Sequence, residues 1–301
     1  MCTMKKKFQM IGFALSVLWV TLPIVTVGAD NAASGKQKKE KTTESALGVK
    51  PVTGSWINLA YKDVRNKYTN PQSFDNMDPK LWEAKVRELS AMGIEYLVLM
   101  EVANEGKSYY PSQIMPWWYN KDKKSPVDAI LDEAAKHNMK IFMSSGWAKD
   151  QDDNLLDPAI KERQLRIMEE LASLYKNHKA FYGWYLPVED CLCPIFAEHA
   201  VQSVNTLSEK AKKLAPGKKT LISPYGIGLS EFDNPEYEKQ MQKLKVDIIA
   251  YQDEVGCVRD QFTLPRLKKN WQRLRDIHNR LNIEMWANCE TFTWEEGTND
   301  R

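Results

Sequence analysis

Short apolar runs alternate with longer amphipathic runs along the chain from Gly54 onward. Each short run is rich in β-branched and aromatic residues and ends in a polar loop, which is typical of a buried strand in a parallel sheet. The pattern predicts seven strands: Ser55–Tyr61, Glu95–Val102, Lys140–Ser145, Ala180–Leu186, Thr220–Ser223, Asp247–Gln252 and Ile283–Asn288.

Each longer run carries apolar residues at spacings of three and four, which predicts a helix. A proline opens every one of them, at the first helical position, where the missing N–H group has no partner to lose. The predicted helices are Pro79–Met92, Pro126–Asn138, Pro158–Asn177, Pro194–Leu214, Pro235–Leu244 and Pro265–Leu281. Strands that alternate with helices predict an α/β fold with a covered parallel sheet, either doubly wound or a (β/α)8 barrel.

The loops favour the barrel over the doubly wound sheet. A doubly wound nucleotide-binding fold carries glycines after its first strand, but Lys62–Asn66 has none. Acidic residues instead end four of the predicted strands, at the face where TIM-barrel enzymes collect their catalytic groups. These residues are Glu101, Glu189, Asp253 and Glu290.

The strand count predicts an incomplete barrel. Only 11 residues follow Glu290, too few for an eighth strand and its flanking helices. We therefore expect residues 51–301 to form a TIM-barrel-type domain that lacks the eighth strand and the last helices. A truncated product is favoured over an open barrel, because an open barrel would expose apolar strand edges.

The first 29 residues predict a secretory signal peptide. Lys5–Lys7 precede an uncharged, largely apolar run that ends in the small residues of Val27–Ala29, which predicts cleavage after Ala29. An uncleaved membrane anchor is the alternative. Residues 30–50 are polar and predict a flexible linker. We expect a secreted or periplasmic protein with no membrane span after cleavage.

Charge and motif content exclude several function classes. The net charge is +2, and removal of Lys5–Lys7 leaves a nearly neutral chain without the basic footprint of a nucleic-acid-binding protein. The four histidines lie in or beside predicted helices rather than at strand ends, which disfavours a histidine-bound catalytic metal and a Ser-His-Asp triad. The cysteines lack paired zinc-site spacing. We therefore predict no metal and no cofactor.

Two glutamates follow strands on opposite sides of the predicted barrel. Side chains alternate along a strand, so Glu189 shares its face with Gly183 and Tyr185, and a glycine suits a crowded barrel interior. Glu290 is in phase with Trp286. Two carboxylates that face each other across a barrel mouth are what cleavage of a glycosidic bond requires. We predict both as catalytic residues; solvated loop carboxylates or salt-bridge partners are the alternative.

Further polar and aromatic residues at the same face predict a carbohydrate-binding surface. Carboxylates and amides bind sugar hydroxyls, and aromatic faces stack on sugar rings. The predicted substrate-binding residues are Asp253, Asn288, Gln252, Glu101, Trp117, Trp118, Trp147 and Tyr185. Buried amides with internal partners, and a small satellite core of loop aromatics, are the alternatives.

Five sequence segments carry a resemblance to a known family. The segments are GWYLPVED, DIIAYQDEVG and MWANCETF, with GSWINLAY and GIEYLVLM in support. From about Val52 to its end, the chain resembles secreted bacterial proteins with domain of unknown function 4434, classed with glycoside-hydrolase TIM barrels. The resemblance implies a TIM barrel and carbohydrate activity. It also implies an acid/base at Glu189 and a nucleophile at Glu290, although Val188 stands where such enzymes often have asparagine.

The sequence thus supports a retaining-type glycoside hydrolase that acts on an extracytoplasmic glycan. The main alternative is a non-catalytic carbohydrate-binding or surface-assembly protein on a degenerate TIM barrel. A third and weaker hypothesis takes the cysteines as a thiol or metal centre.

Overall fold

The structure, a computed structural model, describes residues 51–59, 78–104, 106–145, 156–189, 191–256 and 263–291. Its strands are β1 Gly54–Ile57, β2 Tyr96–Leu99, β3 Ala103–Asn104, β4 Lys107–Ser108, β5 Lys140–Ser144, β6 Phe181–Tyr185, β7 Lys219–Ile222, β8 Ile248–Gln252 and β9 Glu284–Asn288. Its helices are α1 Pro79–Ala91, α2 Pro126–Lys136, α3 Pro158–Tyr175, α4 Glu198–Leu214, α5 Pro235–Lys243 and α6 Leu264–His278.

Seven parallel strands form one sheet in the order β1-β2-β5-β6-β7-β8-β9. The spatial order therefore follows the chain order, as in a barrel and unlike a doubly wound sheet, where the strand order reverses. β3 and β4 form a separate antiparallel hairpin that the sequence pattern did not predict. Two-residue strands are too short to show any periodicity. The predicted α/β barrel-type architecture is confirmed.

Five of the six helices in the described part of the chain begin with a side-chain cap followed by proline. Asp78, Ser125, Asp157, Asn234 and Thr263 accept hydrogen bonds from backbone N–H groups of the first helical turn. No helix of the described residues is long and apolar enough to cross a membrane.

The fourth helix begins later than predicted. The prediction placed its start at Pro194, but α4 starts at Glu198, so residues 194–197 precede the helix. Proline suits a loop as well as a first helical turn, so the residue type alone could not separate the two. Phe196, in the non-helical stretch, is buried and stacks on Tyr237 at a centroid distance of 5.8 Å.

Apolar side chains fill both faces of the sheet. The larger cluster lies between the sheet and the helices and includes Leu97, Trp184 and Leu274. The second cluster fills the concave side of the sheet. Its buried members are Val98, Phe142, Tyr185, Leu221, Ile248 and Ala250. Burial on both faces explains why the strands read as nearly continuous apolar runs.

Aromatic rings pack across the hollow of the sheet. Trp286 of β9 lies 5.2 Å from Tyr96 of β2 and 5.7 Å from Phe142 of β5, as ring centroids. Trp56 of β1 lies 5.0 Å from Tyr185 of β6. These contacts join strands that are not neighbours in the sheet. The sheet therefore curls into a barrel wall, with β1 and β9 as its edges.

A bulge in β6 brings Gly183 against the barrel interior. The pairing of β5 with β6 shifts between Ile141 and Phe142, so that Tyr182 has no partner of its own. A Cβ atom on Gly183 would lie 2.7 Å from the Phe142 ring and 2.6 Å from the Lys219 carbonyl oxygen. Only glycine fits this position, as a crowded barrel interior requires.

Candidate active site

Carboxylates collect at one end of the barrel. Glu101 follows β2, Glu189 follows β6, and Glu290 follows β9, while Asp253 and Glu254 follow β8 directly. Because the strands are parallel, their carboxyl ends lie at the same edge of the sheet, where barrel enzymes place their active sites. Four of these five acids were predicted as site residues from the sequence.

Tyr185 joins the barrel interior to Glu189. Its ring is fully buried in the inner cluster, and its hydroxyl donates to Glu189 Oε1 over 3.3 Å. Burial raises the pKa of Tyr185 well above its usual value, and the negative charges of Glu189 and Glu101 add to the increase. Tyr185 therefore stays protonated at neutral pH and acts as a donor. The alternation of side chains predicted that Tyr185 and Glu189 share a face.

Glu101 lies just after the end of β2 and is also buried. Its side chain is 3% exposed, and its Oε1 accepts the backbone N–H of Leu59 at 2.5 Å. The negative charge of Glu101 also contributes to the raised pKa of Tyr185. Glu101, Tyr185 and Glu189 thus form one polar group on the second and fourth strands of the sheet.

Glu290 is held at the seventh strand of the sheet by the turn that follows β8. Its half-buried carboxylate accepts the Gly256 N–H at Oε2 over 2.8 Å, and its own N–H donates to Asp253 Oδ1 over 3.0 Å. Asp253 Oδ1 also accepts the Val255 N–H at 3.2 Å, and the Asp253 N–H donates to the Asn288 carbonyl oxygen. Asp253 therefore organises the backbone around Glu290.

Glu254 is a rim carboxyl group that sequence analysis did not single out. It is 7% exposed, and its Oε2 accepts the Gly226 N–H at 2.7 Å. Burial raises the pKa of Glu254 to about 7, and the charges of Glu290 and Asp253 contribute to the increase. The sequence did contain a signal for Glu254. Side chains alternate along β8, so a residue four positions after the inward-facing Ala250 is expected on the same side of the strand.

The predicted amides lie in a polar layer just inside the rim. Gln252 is buried, and its Nε2 donates to the Ser223 carbonyl oxygen at 2.8 Å. Asn288 Nδ2 donates to Ser223 Oγ at 3.1 Å, and that hydroxyl donates to the Ala250 carbonyl oxygen. The amide nitrogens of both predicted ligands are therefore engaged with Ser223, at the end of the fifth strand of the sheet.

Trp117 and Trp118 lie in the loop that follows the β3–β4 hairpin. Trp117 stacks on Tyr119 with 5.1 Å between ring centroids, and Trp118 stacks on Tyr109 with 6.4 Å. Their indole N–H groups donate to backbone carbonyl oxygens at 2.8 and 2.9 Å. Both rings are half-buried and packed against the core, so the loop holds them in fixed orientations. Trp147, the third predicted platform, lies outside the described residues.

The loop with the tryptophans is anchored to α3 by one carboxylate. Glu170 accepts hydrogen bonds from the Tyr110 hydroxyl at 2.8 Å, the Ser112 hydroxyl at 2.7 Å and the Gln113 N–H at 2.6 Å.

Within the described ranges, no group of three or more histidine, cysteine, aspartate or glutamate side chains is placed to hold a metal ion.

Two solved structures illustrate what this fold is similar to. One is a Bacteroides thetaiotaomicron VPI-5482 protein described provisionally as an alpha-L-fucosidase, with a TM-score of 0.59 and 18% identity over 86% of this chain and 79% of that chain. Another is GH10 from Paenibacillus barcinonensis, with a TM-score of 0.49 and 12% identity over 81% and 71% of the two chains. At these identities the similarity concerns the fold alone. The search of curated proteins found no match.

The sequence matches one family model over nearly all of the barrel. The model is described as Domain of unknown function (DUF4434), and the match covers residues 52–300. The matched residues include the whole seven-stranded sheet and every rim carboxylate described above. The chain therefore belongs to the DUF4434 family, and its fold is of the TIM-barrel type.

Proposed function

We propose that the protein is a glycoside hydrolase in which Glu189 is the acid/base and Glu290 the nucleophile. The observation that carries the proposal is the way each carboxylate is held at the rim. The buried Tyr185 hydroxyl orients Glu189 at the fourth strand, and the Gly256 N–H orients Glu290 at the seventh. In a barrel these strands stand roughly opposite each other across the mouth.

The proposed reaction has two balanced steps. First, the Glu189 carboxyl proton passes to the glycosidic oxygen while a Glu290 oxygen attacks the anomeric carbon, so the glycosidic bond breaks and a glycosyl ester forms. Second, the Glu189 carboxylate takes a proton from water, and the water oxygen attacks the anomeric carbon and releases Glu290. Both roles are those of the carboxylate pair in retaining glycosidases.

The remaining rim residues fit the recognition of a sugar. Glu101 and Asp253 carry carboxylates next to the pair, and Gln252 and Asn288 carry amides one layer deeper. We propose that Asp253 and Asn288 bind sugar hydroxyls and that Tyr185 holds the acid/base. The buried Glu101 and Gln252 would bind a sugar only after movement away from their internal partners. We propose Trp117, Trp118 and Trp147 as stacking platforms, since aromatic faces pack well on the apolar faces of sugar rings.

The proposed substrate is an extracytoplasmic glycan, which agrees with the predicted signal peptide at residues 1–29. We expect the mature protein recovered from the periplasm or medium of an expressing bacterium to begin at Asp30. Sequencing of its N-terminus measures this directly. A mature protein that still begins at Met1 and sediments with membranes contradicts the predicted cleavage.

Paired amide variants test the proposed reaction. Glu189→Gln and Glu290→Gln should each lower the turnover of the best substrate in a panel of aryl glycosides by about 10²–10⁴-fold. The matched control is Glu162→Gln on the exposed side of α3, which should leave turnover unchanged. If both rim variants keep full activity, the assignment is wrong. If the wild type binds glycans but cleaves none, the protein is the non-catalytic carbohydrate-binding protein instead.

A further inference from the structure

The turn after β8 has an unusual backbone conformation at a charged residue. Glu254 has φ of +53°, in the left-handed region that non-glycine residues rarely adopt. Such conformations persist only where surrounding contacts hold them, and they are frequent at functional sites. The contacts that hold Glu254 lie on the loop after β7 rather than within its own turn.

The Glu254 carboxylate is anchored to that loop by backbone N–H groups. Gly226 N–H donates to Oε2 at 2.7 Å, and the Ile227 N–H also donates to this carboxylate. The loop packs closely against its neighbour, because a Cβ atom on Gly226 would lie 2.8 Å from Cys191 Sγ. The Ile227 carbonyl oxygen accepts Asn270 Nδ2 from α6 at 2.7 Å. Glu254 therefore ties its turn to the loop after β7.

The other side of the same turn holds Glu290. Two residues beyond Glu254, the Gly256 N–H donates to Glu290 Oε2, and Asp253, one residue before, accepts the Glu290 N–H. Movement of the turn would displace both groups that hold Glu290. Glu254 therefore lies between the two groups that hold Glu290, one residue after Asp253 and two residues before Gly256.

We propose that Glu254 is a positioning residue for Glu290: it holds the 253–256 turn that orients this carboxylate, and the two carboxyl groups interact across that turn. This inference rests on the proposed function for the role of Glu290, and it names a residue outside the acid pair. Among the described residues, the titratable groups with the largest effect on Glu254 are Glu290, across the turn, and Asp253, beside it.

The electrostatic coupling has a defined direction. Burial raises the pKa of Glu254 to about 7, and the negative charge of Glu290 contributes. Coupling between two titrating groups is reciprocal, so an ionised Glu254 opposes the ionised form of Glu290. When Glu290 becomes a neutral glycosyl ester, this repulsion ends. An ionised Glu254 therefore favours formation of the ester, and this contribution grows as pH rises through about 7.

Carbon-13 NMR of glutamate-labelled full-length protein tests the coupling without any substrate. The Glu290 carboxyl signal, assigned from its loss in Glu290→Gln, should show an inflection near pH 7 in the wild type and none in Glu254→Gln. The buried carboxylate variant Glu133→Gln on α2 is the matched control and should keep the inflection. If Glu254→Gln does not fold, Glu254→Asp can replace it in the same experiment. In that variant the Glu290 carboxyl signal should keep an inflection, but at a different pH. A Glu290 signal identical in wild type and variant overturns the proposal.

Measurements of kcat/KM at several pH values distinguish the positioning role of Glu254 from the proposed glycosidase function. With an aryl glycoside, kcat/KM of Glu254→Gln should fall relative to wild type by about tenfold more above pH 7 than below it. If Glu254 had only a structural role, the substitution would lower kcat/KM by the same factor at every pH. That result would contradict the positioning role but not the proposed glycosidase activity. A wild type with the NMR inflection but without turnover would contradict the proposed function and leave the coupling in place.

Discussion

Glu290→Ala should lose turnover of an aryl glycoside by at least about 10³-fold, and added azide should restore much of it. Alanine leaves a space where the proposed nucleophile stood, and a small anion can enter there and attack the anomeric carbon. In this variant the attack occurs on the face that Glu290 occupied, so the product should be a glycosyl azide of inverted anomeric configuration. Proton NMR of the product determines the configuration.

Glu189→Ala gives the complementary result that fixes the two roles. Without the acid/base, an aryl glycoside with a good leaving group can still form the ester on Glu290, and azide then attacks that ester. The product should be a glycosyl azide of retained configuration. Equal products from the two variants, or no rescue in either, would contradict the assignment of nucleophile and acid/base.

Gly183→Ala should destabilise the protein by about 3 kcal/mol, the upper end of the usual cost of overpacking a core. The new Cβ atom would lie 2.7 Å from the Phe142 ring and 2.6 Å from the Lys219 carbonyl oxygen. A ring can rotate away, but the Lys219 carbonyl is backbone and takes part in the pairing of β6 with β7, so the strain cannot relax locally. Chemical unfolding of both proteins at one pH measures the difference.

Gly54→Ala is the matched control for this substitution. Gly54 is also a strand glycine of the same sheet, but its nearest neighbour would lie 3.8 Å from a Cβ atom, an ordinary contact. Alanine there should change the free energy of unfolding by less than about 1 kcal/mol. If Gly183→Ala lowers the free energy of unfolding no more than Gly54→Ala does, Gly183 is not packed as closely against the barrel interior as described.

The strand positions could be predicted because each strand is buried on both faces, which leaves a nearly continuous apolar run. Alternation along β6 was enough to place Glu189 beside Tyr185, where the structure has a hydrogen bond. The start of α4 could not be found in the same way. Pro194 satisfies the local rule for a helix start, and only the packing of Phe196 against Tyr237 distinguishes a loop there.

Glu254 shows a different limit of sequence analysis. Its position next to Asp253 is visible in the sequence, but its importance comes from hydrogen bonds to Gly226 and Ile227, 28 and 27 residues away. No local pattern encodes a contact between two loops. The same holds for Glu170, whose three hydrogen bonds to the tryptophan loop depend on how α3 packs beside it.

The aromatic rings at the far end of the barrel restrict how molecules reach the rim. Tyr96, Phe142, Tyr182 and Trp286 pack edge to face below the polar layer, and the aliphatic members of the inner cluster fill the space around them. In the described part of the chain, these rings pack across the part of the hollow that lies away from the carboxylates. A substrate of the proposed hydrolase would therefore reach the carboxylates from the loop side of the sheet rather than through this aromatic layer.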